Sequence, residues 1–321
     1  MQLGAVGRER VAAVRSLRRR SLAGVALCAV LAVIVAGCSG PLQAGSAAVV
    51  GDTAIPLSDV QSRLDYALGR RDLIAQIQET GRGPADISRE LVTRSVLHTL
   101  LDEVARREGI SPSESAVADG VAAEQRRLAG RDSLEDPATI PERVRDQLIA
   151  AELARRYIER LAVTIDVTTA MSRAEAADKA KRIASGPDGA RAVFAADGQD
   201  AQLGLRFRAA ADPDAATSVL FGTPAGKVVY FQPSPAQGGW LIIRVTERRT
   251  DSTPTAGDPP DTPVAQIATD SLQMIGFRQL QPLADELGVR INPRYGVWDP
   301  VRLRAVGDAD VSGEVLSAPA R

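Results

Sequence analysis

Apolar positions in the first half of the chain recur at helical spacing, interrupted by glycine, proline and capping residues. The most regular run extends from Ile87 to Glu108, where Val92, Val96, Leu97, Leu100, Leu101 and Val104 share one face and Gly109 closes it. Ahead of it, Ser58 and Gln61 form a capping-box pattern that opens a helix carrying Val60, Leu64 and Leu68, continued by Leu73 and Ile77 and stopped at Gly81-Arg82-Gly83-Pro84. Behind it, Ser111-Pro112-Ser113-Glu114 starts a helix to about Ala129 with Pro112 at its first position. Thr139-Ile140-Pro141-Glu142 starts another to about Leu161, with apolar residues on several sides, so that it packs against more than one neighbour. Two short extended runs, Ala47 to Val50 and Thr53 to Ile55, meet at the turn-forming pair Gly51-Asp52. Two strands alone are marginal in water, so this hairpin needs a third.

The second half changes character. Val163 to Val167, Leu203 to Phe207, Gly226 to Phe231 and Gly239 to Val245 read as strands, with helices from Ser172 to Ala184 and from Ala216 to Phe221 between them. Thr250 to Pro263, rich in Thr, Pro, Asp and Gly, reads as a linker. A helix with Val264, Ile267, Ala268, Leu272 and Ile275 follows, restarts at Pro282 and ends at Gly288, and Val289-Arg290-Ile291 reads as a strand. These late elements cannot bury their apolar faces on a linker. The economical solution returns them to the first module, with the strand on the 48–55 hairpin. The tail from Arg304 to Arg321 reads as disordered. The fold class is α+β.

The amino-terminal stretch fixes where this chain is expected to work. Residues Leu22 to Cys38 are uncharged and follow a segment, Arg8 to Arg20, with six arginines and one glutamate. A basic region, an apolar region and small residues before a cleavage point mark a secretory signal, and the run is shorter than the about 20 apolar residues a spanning helix needs. Val35-Ala36-Gly37-Cys38 resembles a bacterial lipobox, which implies cleavage after Gly37 and lipidation of Cys38; an ordinary signal peptide or an uncleaved anchor is the alternative. Acyl chains contribute roughly 0.8 kcal/mol per buried methylene, so two or three make a durable palmitate-type anchor.

Loss of residues 1–37 removes six of the 39 basic and one of the 40 acidic residues, leaving 33 against 39, about minus six. That balance argues against nucleic acid as a partner. Cys28 would leave with the signal, so neither a disulfide nor a thiolate metal site is expected. The bias toward alanine and arginine reads as a GC-rich bacterial genome.

Beyond Cys38, Val49-Val50-Gly51-Asp52-Thr53-Ala54-Ile55, an amphipathic helix, and a second helix ending in Arg106-Arg107-Glu108-Gly109-Ile110 before Ser111-Pro112-Ser113-Glu114 resemble the N-terminal chaperone module of SurA-type and PrsA-type secreted foldases. In that family a parvulin-type prolyl isomerase domain follows, and residues 163–249 have about its length and element order. Phe221, five residues before Gly226, matches an aromatic of the isomerase cleft. The departures are specific. Leu241 stands where the family has its last-strand histidine, nothing from Val163 to Ser172 supplies the other, and Asp200-Ala201-Gln202 replaces a Gly-Gly pair.

The resemblance therefore implies a parvulin-like fold whose catalytic groups are lost. It also implies this division: signal peptide 1–37, tether 38–46, SurA-like helical module 47–162, degenerate parvulin-like domain 163–249, linker 250–262, returning helix and strand 263–303, and disordered tail 304–321. The expected activity is that of an extracytoplasmic, membrane-anchored chaperone for unfolded secreted polypeptides, with no covalent chemistry, cofactor or metal. The rivals are an active peptidyl-prolyl isomerase and an envelope assembly lipoprotein with one dedicated partner.

Other chemistry is thin. His98, the single histidine, lies opposite the Val96-Leu100-Val104 face, which predicts a solvated position rather than a catalytic base. Asp308 to Gly313 imitates the start of a calcium loop, but its twelfth position is Pro319. Gly81-Arg82-Gly83 lacks the third glycine and preceding strand of a dinucleotide site, so it reads as a turn. The scarce aromatics gather in the middle domain, mostly as its core. The sharper expectation is that Phe207, Phe221, Tyr230 and Trp240 line a shallow groove for extended peptides. Tyr295 and Trp298 read as staples for the C-terminal strand.

Overall fold

The computed structural model describes residues 45–234 and 238–317. The signal, Cys38 and most of the tether lie outside them. Ser46, assigned to that tether, is already buried in a strand.

Strand β1 (Ser46–Val50) is buried along its whole length because it is paired on both sides. β2 (Thr53–Pro56) forms the hairpin, with Val50 opposite Thr53 and Ala48 opposite Ile55. On the other edge runs β7 (Val289–Ile291), with Ala48 opposite Ile291 and Val50 opposite Val289. The third strand that the hairpin needs thus comes from more than two hundred residues downstream.

Around this sheet pack α1 (Leu57–Leu68), α2 (Arg71–Glu79), α3 (Pro84–Glu108), α4 (Glu114–Leu128) and α5 (Ile140–Tyr157). The long helix expected from Ser58 onward is broken at Gly69-Arg70. α3 starts three residues before Ile87, where Pro84 takes its first turn and Asp86 Oδ2 accepts from the Gly83 N–H at 2.8 Å. Its inner face, Leu91, Val92, Val96, Leu100, Leu101 and Ala105, is buried, and Gly109 ends it in the left-handed conformation.

Three capping assignments shift. α1 begins at Leu57, and the Ser58 hydroxyl donates to Asp59. Ser113, not Ser111, caps α4 by accepting from Ala116 N–H. Asp136 caps a short turn ahead of α5, while Glu142 reaches across to Arg63.

The middle domain is one antiparallel five-stranded sheet. Its members are β3 (Ala162–Ala170), β4 (Gln202–Arg208), β5 (Val228–Phe231), β6 (Trp240–Arg249) and β10 (Gly313–Leu316), in the order β10-β5-β6-β3-β4. Alternation along the strands serves two cores. Tyr230, Val228 and Ile242 face α6 (Arg173–Ala184) and α7 (Pro187–Asp197). Val229, Ile243 and Val245 face α8 (Val219–Gly222), the end of α5 and α9 (Thr269–Arg278). α10 (Gln281–Leu287) then leads into β7.

Helices α5 and α9 belong to both modules. Ile149 and Leu153 of α5 join the helical core, whereas Ala151, Ala154 and Ile158 join that of the sheet. Likewise Leu272 and Ile275 of α9 pack with the sheet, and Leu280 just beyond packs with α3. The modules are thereby locked through a shared helix pair.

Two expectations need correction. Residues 304–316 do not trail free: β9 (Arg304–Val306) pairs with β8 (Val297–Asp299), and β10 adds the fifth strand beside β5. The buried carboxylate of Asp299 holds this segment, accepting from Val301 and Arg302 N–H and from both the N–H and hydroxyl of Ser312. Nor does the 250–262 segment hang loose. Arg206 binds Ser252 and Asp258, and Arg208 binds Asp261 and the Glu159 carbonyl. Turn-rich composition records only the lack of regular structure; it does not register side chains elsewhere that hold the backbone down.

Candidate functional site

The four aromatics expected to share a groove do not meet. Phe221 is fully buried beneath the sheet in the same core as Phe207, and its carbonyl accepts from Arg248 Nε at 3.0 Å. Tyr230 and Trp240 lie on the opposite face under α6, their rings 6.0 Å apart, and the Tyr230 hydroxyl donates to Glu314. The strand period of two separates them. Phe221 and Tyr230 are buried, while Phe207 and Trp240 are half-buried on opposite faces of the sheet.

A space that the fold leaves open lies in the helical module, where the returning helix α9 and the turn before β9 close it and the middle domain adds only Thr217. A cavity of about 680 Å³ is walled by α1, α2, α3, the 133–136 loop, α5, α9 and the turn before β9. That is within the range of pockets that engulf small or extended ligands. Ile87, Leu91, Leu97, Leu134, Phe277 and Leu303 give it an apolar lining, and Met274 stands 55 % exposed beside them. An unbranched, polarizable thioether fills irregular shapes, which suits a surface that meets varied partners. Leu303 takes a positive φ of 50°, uncommon for a residue with a side chain. The Asp299 hydrogen bonds to Val301 and Arg302 hold the turn that places it in the wall.

Ion pairs fix the walls. Arg63 of α1 makes a two-pronged contact with Glu142 of α5 at 2.9 and 3.0 Å. Arg143 binds Glu124 at 2.6 Å and Glu135 at 2.7 Å, which ties the 133–136 loop and α4 to α5. Hydrogen bonding from Arg127, with Arg143 beside it, holds the Glu124 carboxyl down at about 2. Buried or half-buried pairs of this kind mainly fix geometry.

His98 is not the solvated residue its helical wheel predicts. Its Nδ1 lies 2.9 and 3.1 Å from the two Asp146 oxygens, and Nε2 lies 3.4 Å from Asp102. A wheel knows only its own helix, and here α5 crosses the polar side of α3. The hydrogen bond to Asp146 raises the His98 pKa above its usual value. Burial by itself pushes Asp146 up as well. The short contact to a carboxylate favours the imidazolium, so the rise at His98 governs the pair.

Among the described residues, donor atoms of His98, Glu142 and Asp146 come within 4.8 Å of one another, a set that could ligate a cation. Each already meets a counter-charge, Glu142 from Arg63 and Asp146 from His98. The imidazole of His98 ties α3 to α5 through Asp146 and meets Asp102 of its own helix.

The cavity escaped sequence reasoning because its lining comes from segments between Arg63 and Leu303. The one legible signal was Met274, an apolar residue on the outer side of a helix whose inner face is Leu272 and Ile275.

No protein-family profile and no curated protein matches the chain. Among solved structures it is similar to the foldase protein PrsA from Lactococcus lactis, with 11 % identity over 77 % of this chain and 95 % of that one, at a TM-score of 0.24. It is also similar to foldase protein PrsA from Streptococcus pneumoniae, with 9 % identity over 70 % and 92 %, at a TM-score of 0.22. TM-scores this low leave function to be argued from the residues themselves.

Proposed function

We propose that this protein is a lipid-anchored, extracytoplasmic chaperone that holds apolar segments of unfolded secreted chains in the cavity walled by its helices, without covalent chemistry. The observation that carries the reading is the cavity itself, with its apolar lining, exposed Met274 and the ion pairs that tie its walls together. A rigid, partly apolar recess lowers the ordering cost of binding on the protein's side. The Cys38 anchor rests on the lipobox pattern and would concentrate the cavity where clients emerge.

The isomerase reading loses its main support, because Phe221 is sealed in the core and Leu241 occupies the histidine position. Assembly with one dedicated partner is the competing outcome of the test.

The test uses the full chain in phospholipid nanodiscs with an aggregating, reduced secreted protein as client. Suppression of light scattering is expected at several-fold molar excess, and Met274→Asp should weaken it strongly with the thermal midpoint unchanged. A photo-crosslinker at position 274 should capture many unrelated secreted chains. Absence of suppression sinks the chaperone reading, and capture of one stoichiometric protein selects assembly.

A further inference from the structure

Arg278 stands in the cavity wall, and among the described residues no carboxylate pairs with it. Several guanidiniums of the same wall are paired: Arg63 with Glu142, Arg94 with Glu90, and Arg143 with Glu124 and Glu135. Arg278 has instead the Thr217 carbonyl on Nε at 3.0 Å and Gln281 Oε1 on Nη1 at 2.9 Å, and its Nη2 makes no hydrogen bond among the described residues. Both bonds are to neutral acceptors, so neither cancels the charge. Asp299 is the carboxylate whose field it feels, but there is no ion pair between them, and both Asp299 oxygens already accept from Val301, Arg302 and Ser312. Burial pushes the guanidinium down to about 10, which still leaves it charged at neutral pH.

The side chain is also held in place. A Cβ at Gly222 would stand 2.6 Å from Arg278 Cδ and 2.3 Å from Gln281 Oε1, so backbone closes in on the side away from the cavity. Arg302 and Arg82 line the same recess, and neither has an ion-pair partner among the described residues. Of the acids there, Glu90, Glu135 and Glu142 are paired with arginines, Asp146 with His98, and Asp136 accepts from the Ala138 N–H of its own turn. The recess thus offers apolar surface beside surplus positive charge, with one preorganised guanidinium that has donors to spare. A half-buried guanidinium lacking a counter-ion is costly unless a ligand supplies one, and a carboxylate matches its planar donor fork.

We infer that the cavity recognises a carboxylate on its ligand: an extended peptide lays apolar side chains against Phe277 and Leu303 while an acidic group docks on Arg278. The group is either the side-chain carboxylate of an internal residue or the free carboxylate at a chain end. This rests on the peptide-binding reading above and gives it a selectivity, with acidic apolar segments preferred over neutral or basic ones.

The test measures fluorescence anisotropy with the full chain in phosphatidylcholine nanodiscs. Three labelled leucine-rich peptides differ at one point: an internal Glu with an amidated end, Gln in its place with an amidated end, and the Gln peptide with a free C-terminal carboxylate. At least one acid-bearing peptide is expected to bind about tenfold tighter than the neutral peptide, the size of effect a charge-assisted hydrogen bond supplies. Whichever binds tighter identifies the source of the carboxylate. In Arg278→Met the preference should fall to about one while the neutral peptide keeps its affinity. If that variant misfolds, the ratio in the unaltered protein decides alone. Equal binding of all three peptides overturns the carboxylate inference and leaves the cavity reading standing, whereas no binding of any peptide overturns both.

Discussion

The carbonyl oxygen of Ala150 meets Gly276 where α5 crosses α9, so closely that a Cβ added at Gly276 would stand 1.8 Å from that oxygen. Both partners are backbone, and no side-chain rotation relieves the clash. This contact sets the spacing of the helix pair that the two modules share, and with it the shape of the recess formed by Met274, Phe277 and Arg278.

Replacing Gly276 by alanine therefore opposes two effects. Helix propensity favours alanine by about 1 kcal/mol, while overpacking at a closed contact costs roughly 1–3 kcal/mol or more. The clash is with backbone, so the second term should win by about 2 kcal/mol. Urea unfolding should show a lower midpoint at unchanged slope; an unchanged midpoint would mean that the helices are free to separate.

Arg208 makes a milder prediction. It is almost fully buried and holds Asp261 at 2.7 Å and the Glu159 carbonyl at 2.8 Å, while its Nη1 has no partner. In Arg208→Met, Asp261 is exposed enough to regain water, and the unpartnered Nη1 disappears with the guanidinium. The global cost should be only about 1 kcal/mol, but the 250–262 segment should lose its hold. Hydrogen exchange should accelerate there, Thr262 included, whose N–H donates to the Ala210 carbonyl. Protection unchanged across that segment would refute the clamp.

These cases mark what a sequence can and cannot reveal. The α3 face was legible because its apolar residues, from Ile87 to Ala105, keep helical period over about five turns. The return of Val289–Ile291 was legible because a two-stranded hairpin is marginal alone and the late helix and strand have no surface of their own on which to bury their apolar faces. α7 was missed: Ala190, Ala192, Ala195 and Ala196 give little contrast between inner and outer faces, although Val193 and Phe194 are buried. β9 and β10 were missed because their short runs sit among Gly, Asp and Ser, and what orders them is Asp299, whose partners are set by tertiary structure. The cavity was invisible for the same reason, since no single segment contains it.

His98 predicts a pH dependence with a definite sign. Asp146 and Glu142 of α5 and Asp102 of its own helix face the imidazole, with Arg63 on Glu142 and Arg145 on Asp102. A folded-state pKa raised above about 6.5 means that the folded protein binds the proton more tightly than the unfolded chain. The stabilisation is fully present below that value and is lost as pH rises through the folded pKa. Unfolding free energy should thus decline from pH 6 toward pH 9 in a way that His98→Gln removes. A parallel decline in the variant would assign the effect to other groups.

Asp299 makes the strongest single-residue prediction. It is fully buried and accepts four hydrogen bonds, from Val301 N–H at 2.8 Å, Arg302 N–H at 3.1 Å, Ser312 N–H at 2.8 Å and the Ser312 hydroxyl at 2.7 Å. In Asp299→Ala the Val301 and Ser312 amides, both buried, lose their acceptor at once, which costs about 3 kcal/mol. Asp299→Asn keeps one acceptor oxygen and should cost less. The damage should be local before it is global, because this carboxylate joins β8 to the segment leading into β10 while β3 to β6 have their own ladder. Amide exchange should therefore quicken across Gly313–Leu316 and around Leu303, with β3 and β6 still protected. If β10 stays protected in the alanine variant, its pairing with β5 is sufficient on its own, and the C-terminal strand owes its place to the sheet edge rather than to Asp299.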